Sequence, residues 1–246
     1  MVKDEIIQRS PVRVFMNSIN GGLGPGELGV IASLSGIGKT SVLVQIALDK
    51  LLQGKKVIHI SFTRHTEYIL TWYENIFDEF IRKKNLENED DVKDDIVKNR
   101  VLMKFTQEGI SGEQILRSIK ALIKDGGFNA ELLIIDGFDF SSDGKNQIAA
   151  IKSFAEEMGV SIWYSCTVKG KEPFYDKKNI PLVIKDYAEY FSVVIVLESK
   201  SPADVRQDRP STLAHIALTV SKDRNTRGLE HLALRLDPRT LLIMED

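Results

Sequence analysis

The chain of 246 residues has little of what marks several large classes of protein. It has one cysteine, Cys166, so no internal disulfide can form and we expect a reducing compartment. No apolar run approaches the roughly 20 residues that span a bilayer. The first five residues, Met1-Val2-Lys3-Asp4-Glu5, are too polar for a signal peptide. We therefore expect a soluble, cytoplasmic protein with no membrane partner.

Neither sign of charge dominates the chain. The 33 Lys and Arg residues against 35 Asp and Glu residues give a formal net charge of −2. No global basic field therefore draws the protein onto nucleic acid, and such binding would need a local patch or an assembled ring. Proline is scarce and 43% of the residues are hydrophobic. This composition predicts a single α/β domain over residues 1–246.

Apolar runs typical of buried strands alternate along the chain with segments of helical periodicity. The alternation predicts an α/β fold with a mostly parallel central sheet flanked by helices. The last three predicted strands, 191–197, 213–220 and 231–236, are expected to run antiparallel at the C-terminal end. Residues 81–100 carry six basic and six acidic side chains, which predicts a charged surface insertion or a solvated helix pair.

A glycine-rich segment lies between the first predicted strand and the helix that follows it. Residues 35–40, Ser-Gly-Ile-Gly-Lys-Thr, fit the pattern G-x-x-x-x-G-K-[ST], except that Ser33 replaces its first glycine. In this pattern backbone N–H groups surround phosphate oxygens, the lysine reaches the outer phosphates, and the threonine hydroxyl can ligate Mg²⁺. The alternative is a glycine-rich turn that binds nothing. The predicted binding residues are Ser35, Gly36, Ile37, Gly38, Lys39, Thr40 and Ser41.

A carboxylate ends a later apolar strand, Glu131-Leu132-Leu133-Ile134-Ile135-Asp136. A strand ending in aspartate is common and means little by itself. In proteins that have a phosphate-binding loop earlier in the chain, such an aspartate lies beside Mg²⁺ and the loop hydroxyl. The sequence therefore predicts that Thr40 and Asp136 hold Mg²⁺, partly through water.

Two further segments each have two interpretations. Ser165 lies at the carboxyl end of the strand predicted for 160–165, where it is either a γ-phosphate sensor or a plain buried hydroxyl. The stretch 169–178 interleaves lysines with Phe174 and Tyr175. That composition suits single-stranded nucleic acid, but a solvated loop has it as well. The lysines of this stretch are Lys169, Lys171, Lys177 and Lys178.

Together these motifs resemble the RecA-like P-loop ATPases, and among them the KaiC-like proteins and the ATPase domain of DnaB-type helicases. The resemblance begins at residues 20–28, Asn-Gly-Gly-Leu-Gly-Pro-Gly-Glu-Leu, which are similar to a GGL-x-x-G-E-L segment before the first core strand. It continues through the loop, Asp136 and the predicted helix 183–190. It ends at Lys222-Asp223-Arg224, which resembles a K-x-R motif inserted into the ATP of an adjacent subunit.

The resemblance implies ATP and Mg²⁺ as cofactors, and Lys39, Lys222 and Arg224 as catalytic residues. Lys222 and Arg224 would act in trans, within a homo-oligomer that in these families is commonly a hexameric ring. Without the resemblance, the segment 221–228 is simply a basic hairpin tip.

The sequence departs from the family pattern after the second predicted strand. Relatives carry there a glutamate that polarises the attacking water, whereas this chain has Phe62-Thr63-Arg64-His65. Neither a hydroxyl nor a guanidinium is a general base at neutral pH, and losing such a base costs about 10²–10⁴ in rate. The candidate replacements are Glu67, Asp139 and His65.

The sequence therefore supports binding of ATP more strongly than its turnover. Two functions remain open. One is a nucleotide-dependent assembly switch or regulator with slow or absent hydrolysis, to which a protein partner could bind. The other is a DNA-stimulated ATPase or helicase-like motor of replication, recombination or repair. The missing glutamate and the near-neutral charge favour the switch.

Overall fold

One sheet organises the residues that the computed structural model describes, which are 11–62, 65–84, 89–106, 112–140, 144–169, 172, 174–200, 215–224, 230–237 and 239–245. Its strands are β1 (Leu28–Ser33), β2 (Lys56–Ser61), β3 (Arg100–Lys104), β4 (Ala130–Asp136), β5 (Ser161–Thr167), β6 (Phe191–Lys200), β7 (His215–Asp223), β8 (Glu230–Leu236) and β9 (Ile243–Glu245). The helices are α1 (Pro11–Ser18), α2 (Lys39–Leu52), α3 (Thr66–Lys84), α4 (Glu89–Lys98), α5 (Gly112–Lys124) and α6 (Gly144–Met158), and a 3₁₀ helix spans Leu182–Tyr190.

The order of strands in the sheet is β3-β2-β4-β5-β1-β6-β7-β8-β9. The first six strands in this order are parallel to their neighbours, and β7, β8 and β9 are antiparallel additions at one edge. Parallel neighbours need crossover connections, which the helices supply. The predicted α/β class, with a mostly parallel sheet and antiparallel C-terminal strands, is confirmed.

Helices cover both faces of the sheet and form two hydrophobic cores. One core includes residues of α1, α2, α3 and α4, and the other includes residues of α5, α6 and the 3₁₀ helix. Strand β1 contributes to both cores, since Ile31 packs into the first while Val30 and Ala32 pack into the second. All six of its residues are buried, as expected for a central parallel strand with helices on both sides. This burial fixes the strand from which the glycine-rich loop leaves.

Helix α2 carries polar side chains that attach both ends of the described chain to it. Near the N-terminus, Arg13 Nε lies 2.8 Å from Asp49 Oδ1. Near the C-terminus, Gln45 Nε2 donates to the Leu241 carbonyl at 2.9 Å, and its Oε1 accepts from Ile243 N at 2.8 Å. These contacts hold α1 and β9 against the helix that begins at Lys39.

Several elements differ from the sequence prediction. Neither α1 nor β9 has a counterpart among the predicted elements, and α3 extends into the charged segment 81–100, where it ends at Lys84. Helix α4 buries Val92 and Ile96 in the first core, so this charged segment contributes to the packing. Lys222 and Asp223 were predicted in a turn, but both belong to β7, because Val194 and Val193 of β6 pair with them. No described helix is long and apolar enough to cross a membrane.

A buried histidine lies in β2 beside the first core. His59 is 1% exposed, and its Nδ1 is 3.1 Å from the hydroxyl of Tyr73. Its Nε2 has no hydrogen-bond partner among the described residues. Burial lowers the pKa of His59 to about 4, because the charged imidazolium would lose its hydration. The ring is therefore neutral in the folded protein at neutral pH.

We predict a pH-dependent contribution of His59 to stability. In the unfolded chain His59 becomes protonated below pH 6.5, whereas in the folded chain it becomes protonated only near pH 4. The free energy of unfolding should therefore fall across this window as the pH decreases. A His59→Gln variant lacks this component, so its stability deficit relative to wild type should shrink by about 3 kcal/mol between pH 7 and pH 4. Urea unfolding of both proteins measures the difference, and a deficit independent of pH would contradict this prediction.

Candidate functional site

The turn between β1 and α2 is shaped by glycines with positive φ. Gly36 has φ 83° and Gly38 has φ 106°, values that favour glycine over any other residue. A Cβ on Gly38 would also lie 3.0 Å from Leu236 Cδ1. Gly38 is the N-cap of α2 and, being glycine, has no side chain with which to cap the first turn. The N–H groups of a helix's first turn have no intrahelical partner, so this N-terminus can bind an anion.

Lys39 is a buried cation whose hydrogen-bond acceptors are neutral oxygens. The residue is 8% exposed, and Nζ donates to the Leu34 carbonyl at 2.8 Å and to the carbonyl and hydroxyl of Ser33 at 3.2 and 3.1 Å. Burial lowers the pKa of Lys39, although the negative charge of Asp136 opposes this shift. An anion in the loop would stabilise the charged amine. Ser33, which breaks the sequence pattern, therefore helps to position the lysine.

Asp136 joins the ends of three structural elements. The residue is 4% exposed, and its Oδ2 accepts a hydrogen bond of 2.9 Å from the Thr40 hydroxyl. Its Oδ1 accepts a bond of 2.5 Å from Ser165 Oγ, which in turn accepts from Gly137 N at 2.8 Å. Thr40 and Asp136 thus lie together, as predicted for an Mg²⁺ site. Ser165 is a hydroxyl that orients the carboxylate.

The ligand chemistry of this pair suits Mg²⁺. A hydroxyl and a carboxylate are hard oxygen donors, and Mg²⁺ usually takes one or two carboxylates with substrate phosphates and water completing its octahedron. No cluster of three or more His, Cys, Asp or Glu side chains that could hold a metal occurs in the described part of the chain. Thr40 and Asp136 could therefore hold a cation only together with oxygens from a ligand or from water.

A cleft of about 650 Å³ opens over the loop and the end of β4. Six of the seven predicted loop residues line it, whereas Ile37 lines a second cavity of about 460 Å³ with Leu34, Phe174 and Tyr175. The size of the cleft falls in the range of small-molecule sites. Its walls also include Tyr68, Trp72, residues 136–140, Ser165, Thr167, Lys169, Val183 and Leu241.

Sequence reasoning did not assign Tyr68 and Trp72 to the site. They lie one helical turn apart on α3, and both line the cleft. Tyr68 is 47% exposed, which is unusual for a large aromatic side chain on a helix that packs against a core. The sequence signal that could have identified this wall was Tyr68, an aromatic residue that does not lie at one of the buried positions of α3. An aromatic wall beside a phosphate-type loop offers a stacking surface to a planar ring.

Of the three candidate bases, Asp139 lines the cleft. His65 is exposed, with its ring nitrogens 3.3 and 3.4 Å from Lys104 Nζ. Glu67 is exposed in the first turn of α3, and neither it nor His65 is among the described residues that line the cleft. Thr63 and Arg64, which replace the expected glutamate, lie outside the described residues.

Lys222 and Arg224 lie near the amino end of β1, whereas the loop leaves its carboxyl end. In the parallel pair, Gly29 at the start of β1 is opposite Val193 of β6, which in turn pairs with Asp223 of β7. The six residues of β1 separate these two ends by roughly 16 Å at the usual rise per residue. Neither cation is therefore placed to act on the loop of its own chain.

The lysine-rich stretch divides between the cleft and the surface. Lys169 lines the cleft, while Lys177 and Lys178 are exposed. Phe174 and Tyr175 are partly buried and pack against the second core. Lys171 lies outside the described residues. The two rings thus pack against the second core and also line the second cavity.

The loop, the carboxylate and the aromatic wall are thus brought to one cleft by elements distant in sequence. No protein-family model matches this chain, and the curated proteins contain no significant match to it.

Proposed function

We propose that this protein is a RecA-like ATP-binding protein whose Mg²⁺-ATP site acts mainly as a nucleotide-dependent assembly switch, with slow or absent hydrolysis. The observation that carries the proposal is that a buried Lys39 and a buried Asp136 line one cleft, with Asp136 hydrogen-bonded to Thr40, the residue after Lys39. The mostly parallel sheet with antiparallel C-terminal strands supports the proposed family at the level of the general fold.

Each group of the site has a counterpart in Mg²⁺-ATP. The loop N–H groups and Lys39 would bind the outer phosphates, and Thr40 and Asp136 would hold Mg²⁺, the latter partly through water. When bound, the metal supplies positive charge that neutralises the phosphate oxygens. Ser165 keeps the Asp136 carboxylate turned toward Thr40 through its hydrogen bond to Oδ1.

Because Lys39 and Asp136 are buried, a ligand group of opposite charge beside either one would lower the free-energy cost of burying its charge. Lys39 has only neutral oxygens as described hydrogen-bond acceptors, and Asp136 accepts only from hydroxyls in the described contacts. Asp136 attracts Lys39 electrostatically, but neither has an oppositely charged group among its described hydrogen-bond partners, and the cost of burying such a charge falls when an opposite charge enters. A phosphate beside Lys39 and a cation beside Asp136 would supply both counter-charges at once.

The aromatic wall favours a nucleotide over a simple polyphosphate. Tyr68 and Trp72 line the same cleft as the loop, so a ligand whose phosphates lie at Lys39 could place its base against them. Stacking of a base on an aromatic ring does not depend strongly on which base it is. The site therefore supports a nucleoside triphosphate without fixing the base.

Two observations bear on the choice between switch and motor. The sequence has Thr63 and Arg64 where the family places its water-polarising glutamate, and Asp139 is the candidate replacement that lines the cleft. Phe174 and Tyr175, which the motor hypothesis would use for stacking on single-stranded DNA, pack against the second core. Both observations support the switch.

The first prediction for this function concerns Lys39. A Lys39→Ala variant should bind Mg²⁺-ATP about 10- to 100-fold more weakly, because hydrogen bonds to charged groups contribute about 1.5–3 kcal/mol. Lys50→Ala is the matched control, since Lys50 lies on the same helix in its last turn. Calorimetric titration measures both affinities. Equal affinities of wild type and Lys39→Ala would refute the ATP site.

The second prediction separates the base from the phosphates. A Tyr68→Ala variant should bind ATP about 5- to 100-fold more weakly while retaining its affinity for tripolyphosphate, because stacking contributes about 1–3 kcal/mol per base. Asn75→Ala, an exposed change on the same helix, is the control. A parallel loss for both ligands would show that Tyr68 shapes the loop and does not contact the base.

The third prediction separates the switch from the motor. Phosphate release should be slow and unchanged by single-stranded DNA, and Asp139→Asn should lower whatever turnover remains. Static light scattering should show a larger mass with ATP and Mg²⁺ than without nucleotide. DNA-stimulated turnover would eliminate the switch in favour of the motor, and a chain that stays monomeric with ATP would eliminate assembly.

A further inference from the structure

The second cavity, of about 460 Å³, shares none of its described lining residues with the cleft. Its volume falls in the range of small-molecule sites. The lining includes three aliphatic side chains, two aromatic rings and one carboxylate, which are Leu34, Ile37, Leu197, Phe174, Tyr175 and Glu198. A ligand held in the cleft would therefore leave this second cavity accessible.

The cavity forms where β6 continues past the end of β1. The last pair between these parallel strands joins Ala32 to Val196, and β6 then continues for another four residues. Beyond this pair the chain turns away from β1 toward α2, so Leu197 and Glu198 face a cavity on that side. Leu197 packs into the first core. Because successive side chains of a strand point to opposite faces, Glu198 lies on the face that carries the second core.

The two aromatic rings of the cavity are held by a tight loop, residues 174–182. Leu182 N donates to the Phe174 carbonyl at 2.9 Å, and Asp176 Oδ1 accepts two backbone N–H bonds across the loop, at 2.8 and 2.9 Å. The ring centroids of Phe174 and Tyr175 are 6.5 Å apart, with an angle of 76° between the planes. Both rings also pack against the second core, so their positions are fixed before a ligand enters.

Glu198 gives this cavity a negative charge. The residue is half-buried, and no described residue forms a hydrogen bond or an ion pair with its carboxylate. Burial raises the pKa of Tyr175 to about 12, and the negative charge of Glu198 adds to the shift. The carboxylate therefore acts on the aromatic side of the cavity. A cation placed there would be attracted by the carboxylate and by the faces of the rings.

The chemistry of the lining indicates which class of cation fits. An ammonium group donates hydrogen bonds to a carboxylate and is attracted to aromatic faces. A hard metal ion prefers several oxygen ligands, whereas the described lining has one carboxylate among mainly apolar side chains. The aliphatic side chains favour a ligand with a hydrocarbon part, since apolar surface is stabilised when it leaves water. These groups together suit an organic ammonium ion.

We propose that the second cavity binds a small organic ammonium ion, with its charged group beside Glu198 and the two rings and its hydrocarbon part against the three aliphatic side chains. Two of these, Leu34 and Ile37, belong to the turn between β1 and α2. The Leu34 carbonyl also accepts a hydrogen bond from Lys39 at 2.8 Å. The ligand thus contacts the turn that forms the proposed nucleotide site. Its binding does not rest on the proposed function, because no nucleotide takes part.

NMR titration of isotope-labelled protein with n-butylammonium chloride tests the site, with NaCl at the same ionic strength as the reference. The amide signals of Leu34, Ile37 and Phe174 should shift and saturate, while the indole N–H signal of Trp72 in the cleft should not. n-Butanol has the same hydrocarbon chain without the charge. It should bind about 10-fold more weakly, because it lacks the charged hydrogen bond and the cation–π attraction.

Two results of this titration would overturn the proposal. Equal affinities for n-butylammonium and n-butanol would show that the cavity is merely apolar. Shifts centred on Trp72, without saturable shifts at Leu34 and Ile37, would place the ion in the cleft instead.

Variants test which side chains supply the attraction. Glu198→Gln should weaken n-butylammonium binding about 10-fold and leave n-butanol binding unchanged. Phe174→Leu, which keeps an apolar side chain but removes the ring, should weaken it about 3-fold. Glu172→Gln is the matched control, because Glu172 is exposed in the same stretch and is not among the described lining residues. Equal losses in the two glutamine variants would indicate a general effect of charge and would overturn the site.

The lysine side chain of another protein carries the same butylammonium group, so a further titration separates the two sources. The probe is lysine blocked at its amino and carboxyl ends. We expect it to bind more weakly than n-butylammonium, because ordering its backbone and extra rotatable bonds costs free energy. Tighter binding of the blocked lysine would overturn the small-molecule proposal in favour of a lysine from a protein partner.

Discussion

The hydrogen bonds that Asp136 accepts from Thr40 and Ser165 tie together the ends of β4 and β5 and the start of α2. Thr40 lies 96 residues before Asp136 and Ser165 lies 29 residues after it. In the sheet, β5 lies between β1 and β4. Their carboxyl ends meet at one edge because the strands are parallel, which is where ligands bind in open α/β sheets. The buried charge of Asp136 is tolerated there because two hydroxyls satisfy one oxygen each. The cleft and the proposed metal site both depend on this junction.

Strand β1 connects two sites with different requirements. At its carboxyl end, glycines with positive φ and the start of α2 form the loop. At its amino end, Glu27 and Arg224 fix the turn from which the chain enters the strand. The strand is buried on both faces, so it has little freedom to adjust to a shift at either end. A change at the Glu27–Arg224 pair should therefore reach the loop through the packing of β1.

The parts of the fold that the sequence predicted are those with strong local patterns. Strands β1, β2, β4 and β5 are mainly apolar runs, and α2 ends at Leu52, two residues before Gly54, a residue type that favours the end of a helix. Helix α1 and strand β9 were missed because they have eight and three residues, too short for periodicity to be informative. Their positions depend on contacts to Asp49 and Gln45 of α2, which no local pattern records.

The residues of the candidate site likewise fall into those that a local sequence pattern predicts and those that it does not. Lys39, Thr40 and Asp136 were predictable because a spacing motif and a strand end identify them. The fork between Glu27 and Arg224 joins residues 197 positions apart, and the bond from Ser165 to Asp136 depends on which strands become neighbours. The motif at 222–224 treats Lys222 and Arg224 alike, whereas in the structure Arg224 forms a bidentate pair with Glu27 and Lys222 donates to the Ala188 carbonyl.

Thermal unfolding in three solutions tests the central claim most directly, since a ligand that binds only the folded state raises the midpoint. The solutions contain no nucleotide, ATP with Mg²⁺, or ATP with excess EDTA. If Lys39 and Asp136 together hold a metal–nucleotide complex, the midpoint should rise by several degrees with ATP and Mg²⁺ and by clearly less with ATP and EDTA. The same midpoint in all three solutions would contradict the account.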